Sequence, residues 1–202
     1  LFSQIIKIED DEFTLELLLR LSKSKFNVFN IYGYRSHLQR IIESPHGKWV
    51  TKNNLNYLID ENKVVYIGLD SILKIILKSD TSWSKLFLME EMQSCHNAKT
   101  IIAIMNIASQ IFMRETKLEF FSLLKTKQMS FEDLIKIRLR PLESSWSGSR
   151  VPLLDLEIEF LNDLLGVYTE LKYVKYAKYL RDLKEAVQRE KNKELIDEYI
   201  GE

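Results

Sequence analysis

The chain has 202 residues, 46% of them hydrophobic, with 6 Gly and 3 Pro. That is enough apolar material for a core and too little punctuation for a disordered chain. Lys plus Arg and Asp plus Glu each number 29, so the formal net charge is zero. A neutral chain argues against a dedicated nucleic-acid binder, because that binding is driven largely by phosphate neutralisation.

The single cysteine, Cys95, excludes a disulfide framework within the chain and fits a reducing, cytoplasmic setting. No apolar run reaches the ~18 residues that a membrane span needs. The longest, IIAIMNIASQIF at 101–112, is broken by Asn106, Ser109 and Gln110. Leu1 stands where an initiating Met would, which reads as a piece of a longer protein. Lys7, Glu9 and Asp10 do not read as a signal peptide.

Helix signals dominate in chain order. Asp10 and Asp11 precede EFTLELLLRLSK, read as a cap and a buried helix over 12–24. NVFNIYG (27–33) has the rhythm of a tight turn, since Asn30 and Gly33 accept positive φ where other residues resist it. YRSHLQRIIE then places Leu38, Ile41 and Ile42 at helical spacing until Ser44-Pro45. Thr51 reads as a cap for KNNLNYLI, and NKVVYIG (62–68) as a short strand or extended connector. Asp70 reads as the cap of SILKIILK, whose apolar residues leave only the lysines solvated.

Ser82 precedes WSKLFLMEEM, and Asn97 precedes the most apolar helix, 98–113, expected at the centre of the core. Residues 115–126 form another amphipathic segment. Ser130, with Asp133 three residues later, resembles a capping box opening a helix over FEDLIKIRL. PLESSWSGSRVP (141–152) carries loop residues, DLEIEFLNDLLGVY returns to helix, and from Tyr168 a long solvated helix follows. The fold class is all-α, a helical bundle over 1–172 with a C-terminal helical extension over 173–202, expected to be monomeric.

Spacing alone yields no classical active site. His37, His46 and His96 have no second ligand at metal-site spacing, so no metal or cofactor is implied. Cys95 and His96 are adjacent, which on a helix points them about 100° apart; a small half-buried thiol is the better reading. Glu90-Glu91 and Glu132-Asp133 read as a solvated face and a helix first turn. Tyr168, Tyr173, Tyr176 and Tyr179 alternate with lysines and read as the aromatic edge of an amphipathic helix.

Four motifs in order carry a resemblance. NVFNIYG followed by YRSHLQRII resembles the turn G-I-F-R-V-S-G and following helix of RhoGAP domains; Val28, Phe29, Ile31 and Gly33 match, and Asn30 falls at that family's arginine finger. SILKIILKSD (71–80) resembles L-L-K-x-F-L-R-E-L-P, with Lys74 at its lysine and Lys78 at its arginine. KQMSFEDLIKIRLRPL (127–142) resembles N-K-M-x-x-x-N-L-A-x-x-F-x-P-x-L, with Met129 and Leu134 in register, Asp133 at the asparagine and Pro141 one residue late. DLEIEFLNDLLGVY resembles the last helix of that fold. The resemblance covers about residues 8–172, apart from 95–126.

That family accelerates GTP hydrolysis through its arginine, a contribution of about 10³–10⁵ in rate. Asn30 is neutral and shorter and offers no charged fork. The resemblance therefore implies a non-catalytic RhoGAP-like interaction domain of a larger cytosolic signalling or scaffold protein. On that resemblance it is expected to dock a Rho-, Rac- or Cdc42-type GTPase, or a partner to which it has drifted, through the surface of Asn30, Arg35, Lys74, Lys78 and Asp133. Two alternatives stand beside it: a weak activator using an atypical residue, Arg35 being the nearest cation, and an unrelated helical scaffold.

Overall fold

The structure, a computed structural model, describes Lys48, Thr51, Lys52, Lys74 and residues 76–140 and 148–201. The helix expected at 12–24, the 27–33 turn with Asn30, Arg35, the 62–68 segment, Asp70 and Pro141 lie outside the described residues. The described part is helical throughout its regular elements, as the all-α reading expects, and holds no strand. The chain divides into two compact units, Leu1–Leu88 and Met89–Glu202.

In the first unit, Lys74 and residues 76–79 are helical, with Ile76 and Leu77 buried and Lys78 exposed. Thr51, expected to cap from outside, is itself helical and buried. Helix α1, Thr81–Ser94, begins at Asp80 rather than Ser82: the Asp80 carboxylate accepts from the Trp83 amide at 2.9 Å. A carboxylate at that position satisfies an orphan amide and complements the helix dipole, which a hydroxyl at Ser82 does less well. Phe87 and Leu88 turn inward.

The second unit is built around α2, Ala98–Ile111. Asn97 caps it as expected, its side chain accepting from Lys99 N, and Ile101, Ile104, Met105 and Ala108 are buried. Helix α3, Arg114–Lys125, packs on it through stacked Phe112 and Phe120. Helix α4, Phe131–Leu134, starts at the expected Ser130 cap, whose hydroxyl also donates to the Asp133 carboxylate, but lasts one turn. The reason is tertiary: Arg138 N bonds to the Asn106 side chain on α2 instead of continuing the ladder, and Ile137 and Leu139 are drawn inward.

Helix α5, Val151–Val167, begins four residues before the expected start. Pro152 sits in its first turn, where the missing N–H costs nothing because that amide has no helical partner anyway. A 3₁₀ turn, Leu171–Tyr173, leads into α6, Val174–Gly201, which packs back along α5. The segment read as an extension, 173–202, therefore lies in the same compact unit as α5.

Tyrosines close the α5–α6 corner. Tyr168 meets Tyr173 and Tyr176 edge-on at 5.0 and 4.9 Å between ring centres, and all three are buried. Edge-to-face pairs contribute about 0.5–1.5 kcal/mol each beyond area burial. Tyr168 OH donates to Phe121 O and Tyr173 OH to Lys125 O, so both tie α3 to the corner. Tyr176 OH is buried and has no hydrogen-bond partner among the described residues. Beyond it Leu180, Leu183 and Val187 continue the inner face of α6 at helical spacing.

Tyr168→Phe is expected to cost about 0.5–1.5 kcal/mol in urea unfolding, the net worth of its hydrogen bond. Tyr176→Phe is expected to be neutral or slightly stabilising, because it removes a buried hydroxyl with no partner. Burial holds both phenols well above the ordinary tyrosine value. The unfolded chain ionises them near pH ~10 while the folded chain keeps the protons, so stability falls as pH climbs past that point. The two Phe variants should flatten that decline, read as unfolding free energy from pH 8 to 11.

Candidate functional site

In the first unit the residues around Asp80 form a basic-aromatic cluster. Lys48 Nζ pairs with Asp80 Oδ2 at 2.6 Å and stands 5.5 Å above the Trp83 ring. Lys52 Nζ lies 5.9 Å above Phe87, which stacks on Trp83 at 5.1 Å. The Lys48 hydrogen bond, and then the Trp83 amide, hold the Asp80 carboxyl below its ordinary range. This arrangement joins the helical backbone bearing Lys48 and Lys52 to the start of α1. The cations lie over ring faces, where the aromatic quadrupole attracts them. Of the basic residues expected to face a partner, Lys74 is half-buried and Lys78 is exposed.

In the second unit Asp133 has two local partners. Its amide donates to Ser130 Oγ, and its carboxylate accepts from Ser130 Oγ at 2.9 Å and from Lys136 Nζ at 2.8 Å. Lys136 first and Ser130 second hold the Asp133 carboxyl below its ordinary range. The acid that replaces the resemblance's asparagine thus completes a helix start. Lys74 and Lys78 belong to the first unit and Asp133 to the second; Asn30 and Arg35 lie outside the described residues.

Other charged clusters were not legible from spacing. Arg114 donates to Glu159 and, at 2.6 Å, to Asp163, clamping the first turn of α3 to α5. Arg140 bridges Glu157 on α5 and Glu190 on α6, both at 2.9 Å, and Arg150 joins Glu190 at 2.7 Å. Burial pushes the Glu157 carboxyl up, against the pull of Arg140. Lys191 reaches Asp155 at 2.6 Å. These pairs span 17 to 50 residues of sequence, so no local pattern announces them.

Cys95 is half-buried, as expected, with its thiol against the Asn97 backbone, and His96 is exposed. Lys127 Nζ donates to Gln93 O and Cys95 O at 2.6 and 3.1 Å, satisfying carbonyls at the end of α1. Lys117 lies 5.8 Å above Phe160, and burial lowers its ammonium. Among the described residues no group of three or more His, Cys, Asp or Glu side chains is placed to hold a metal ion, and no helix is long and apolar enough to cross a membrane.

Compared with protein-family models, with curated proteins and with solved structures, the chain finds no match.

The two candidate positions with opposite settings give a contrast. Ser130→Ala, which removes the cap shared with Asp133, is expected to cost about 0.5–2 kcal/mol. Lys78→Ala, an exposed change, is expected to stay within about 0.5 kcal/mol of the parent. Urea midpoints at unchanged m-value check both.

Proposed function

We propose that this chain is a non-catalytic, RhoGAP-like protein-interaction module of a larger cytosolic protein, and that it docks a Rho-family small GTPase. The observation that supports the reading most directly is the disposition of Lys74 and residues 76–79. Their backbone is helical, Ile76 and Leu77 are inside, and Lys78 is exposed. A cation in that setting has its long side chain available to an acidic partner surface at little conformational cost to the fold. Its charge accelerates and orients encounter more than it adds affinity.

Position 30 decides between docking and catalysis. An arginine finger contributes about 10³–10⁵ in rate, or roughly 4–7 kcal/mol of transition-state stabilisation. Asn30 carries no charge to meet that developing on the phosphoryl oxygens. Binding without acceleration follows.

The test is binding of the chain to Rho-family GTPases loaded with GDP or a non-hydrolysable GTP analogue, beside single-turnover GTP hydrolysis. Nucleotide-dependent binding is expected, with hydrolysis unchanged even at high excess of the chain. Lys78→Glu is expected to weaken binding several-fold, mainly in the association rate and more at low salt. Asn30→Arg is expected to restore measurable acceleration. Absence of binding across the family overturns the docking reading, and acceleration by the parent chain overturns the non-catalytic one.

A further inference from the structure

The α5–α6 corner presents an outer surface unlike the rest of α6. Leu171 opens the 3₁₀ turn and Val174 caps it, a three-residue spacing that stacks one side chain over the other. They are 91% and 56% exposed, while Tyr173 and Tyr176 beside them are buried. The turn is held from behind. Tyr173 OH donates to Lys125 O, and the Tyr173 and Tyr176 rings both meet Tyr168 edge-on. Two neighbouring apolar side chains are thus kept in water on a turn whose inner side is fixed.

Cations surround the pair. Lys172, Lys175, Lys178 and Arg181 are exposed and recur every three residues. At about 100° per residue, Lys175, Lys178 and Arg181 fall within about 100° of Val174, on the side away from buried Tyr176 and Leu180. Lys172 and Lys125 both pair with Glu170, at 3.2 and 2.7 Å. Lys175, Lys178 and Arg181 have no ion pair among the described residues. These cations do not serve the helix they begin, whose first turn holds no acid although the dipole favours one there. Asp182 and Glu185, both exposed, are the first acids of α6 on this side.

A matching partner is anionic at its surface and apolar just beneath. A nucleic acid or an acidic peptide would satisfy the cations but leave Leu171 and Val174 in water. A bilayer with acidic headgroups satisfies both, because lysine and arginine stems cover apolar surface while their charged heads stay at the level of the phosphates. We propose that the α5–α6 corner docks peripherally on an anionic phospholipid surface, with Leu171 and Val174 entering the boundary between headgroups and acyl chains and Lys172, Lys175, Lys178 and Arg181 meeting the lipid phosphates. Asp182 and Glu185 set the attitude: the surface repels them, so α6 meets it with its first turns and tilts away beyond. Each unpaired cation contributes roughly fivefold to partition, and two apolar side chains add a shallow anchor, so the contact is weak and reversible. It uses neither Asn30 nor Lys78, is independent of GTPase docking and needs no GTPase for its test.

Flotation of the intact chain with phosphatidylcholine vesicles, with and without about 30% phosphatidylserine, tests it. Binding is expected with the anionic vesicles alone, and is expected to fall about tenfold or more between about 0.05 and 0.5 M NaCl. Lys175→Glu and Lys178→Glu should each weaken it about tenfold, whereas Lys193→Glu, the same change near the other end of α6, should leave it within about twofold. Leu171→Ser should weaken it about threefold. All four positions are exposed, and unchanged urea midpoints confirm that the variants fold. In a Cys95→Ser background, an environment-sensitive fluorophore on Leu171→Cys should brighten and shift to the blue with anionic vesicles, and the same label on Glu185→Cys should not. Absence of binding to anionic vesicles overturns the proposal, as does binding unmoved by the corner variants. A label at position 171 that stays in water overturns it too; if a single-stranded oligonucleotide then binds with the same pattern of lysine variants, the cations serve a soluble polyanion instead.

Discussion

The corner made by Tyr168, Tyr173 and Tyr176 is the constraint on which the second unit depends. The Tyr168 ring, met edge-on by both Tyr173 and Tyr176, determines where α5 stops and at what angle α6 leaves. Two of the hydroxyls then reach backbone carbonyls of α3, so the corner sets the place of a third helix as well. A corner of aliphatic side chains would bury similar area but lack the directional bonds to Phe121 O and Lys125 O. The residue that gains least is Tyr176, whose ring is needed and whose hydroxyl has no partner among the described residues. Ring packing outweighs an unsatisfied phenol there, since the area term for an aromatic exceeds the desolvation of one hydroxyl only when the ring is fully enclosed.

From that corner the α5–α6 hairpin runs to an opposite end of different chemistry. Arg140, Arg150 and Lys191 meet Glu157, Glu190, Glu194 and Asp155 where apolar pairing gives out. Exposed pairs of this kind contribute little singly, but Arg140 and Arg150 share Glu190, and a shared carboxylate fixes register more firmly than isolated pairs. The consequence is a long helix that is anchored to its last contact with α5 and then continues with its apolar residues turned outward. Hydrophobic inside and hydrophobic outside thus occur on one helix, separated by an ionic clasp.

The functional reading rests on charge and its absence. Asn30 is neutral where the resembling family is cationic, and Lys78 is an exposed cation next to the buried Ile76 and Leu77. The resemblance to RhoGAP domains rests on short motifs in order along the sequence. What each motif residue does in the fold was not. Asp133 reads equally as a partner contact and as a helix-capping acid, and only the positions of Ser130 and Lys136 show the second role. Lys127 gives no local signal at all, yet its ammonium closes the end of α1 across 34 residues of sequence.

The sequence by itself determined the helical class, the caps at Asn97 and Ser130, the burial of the 98–111 helix and the inward aromatic edge after Tyr168. These follow from short-range rules, the 3.6-residue period and the demand of terminal amides for a nearby acceptor. Tertiary structure alone decided that α4 ends after one turn, because Asn106 takes the Arg138 amide. It decided that Pro152 opens a helix and that Asp80, not Ser82, caps α1. It also decided that Leu195, Ile196, Tyr199 and Ile200 face outward. A periodic pattern specifies that a helix has an apolar stripe; where the neighbouring helix runs out is a matter of packing between residues far apart in the chain, and that decides whether the stripe is covered.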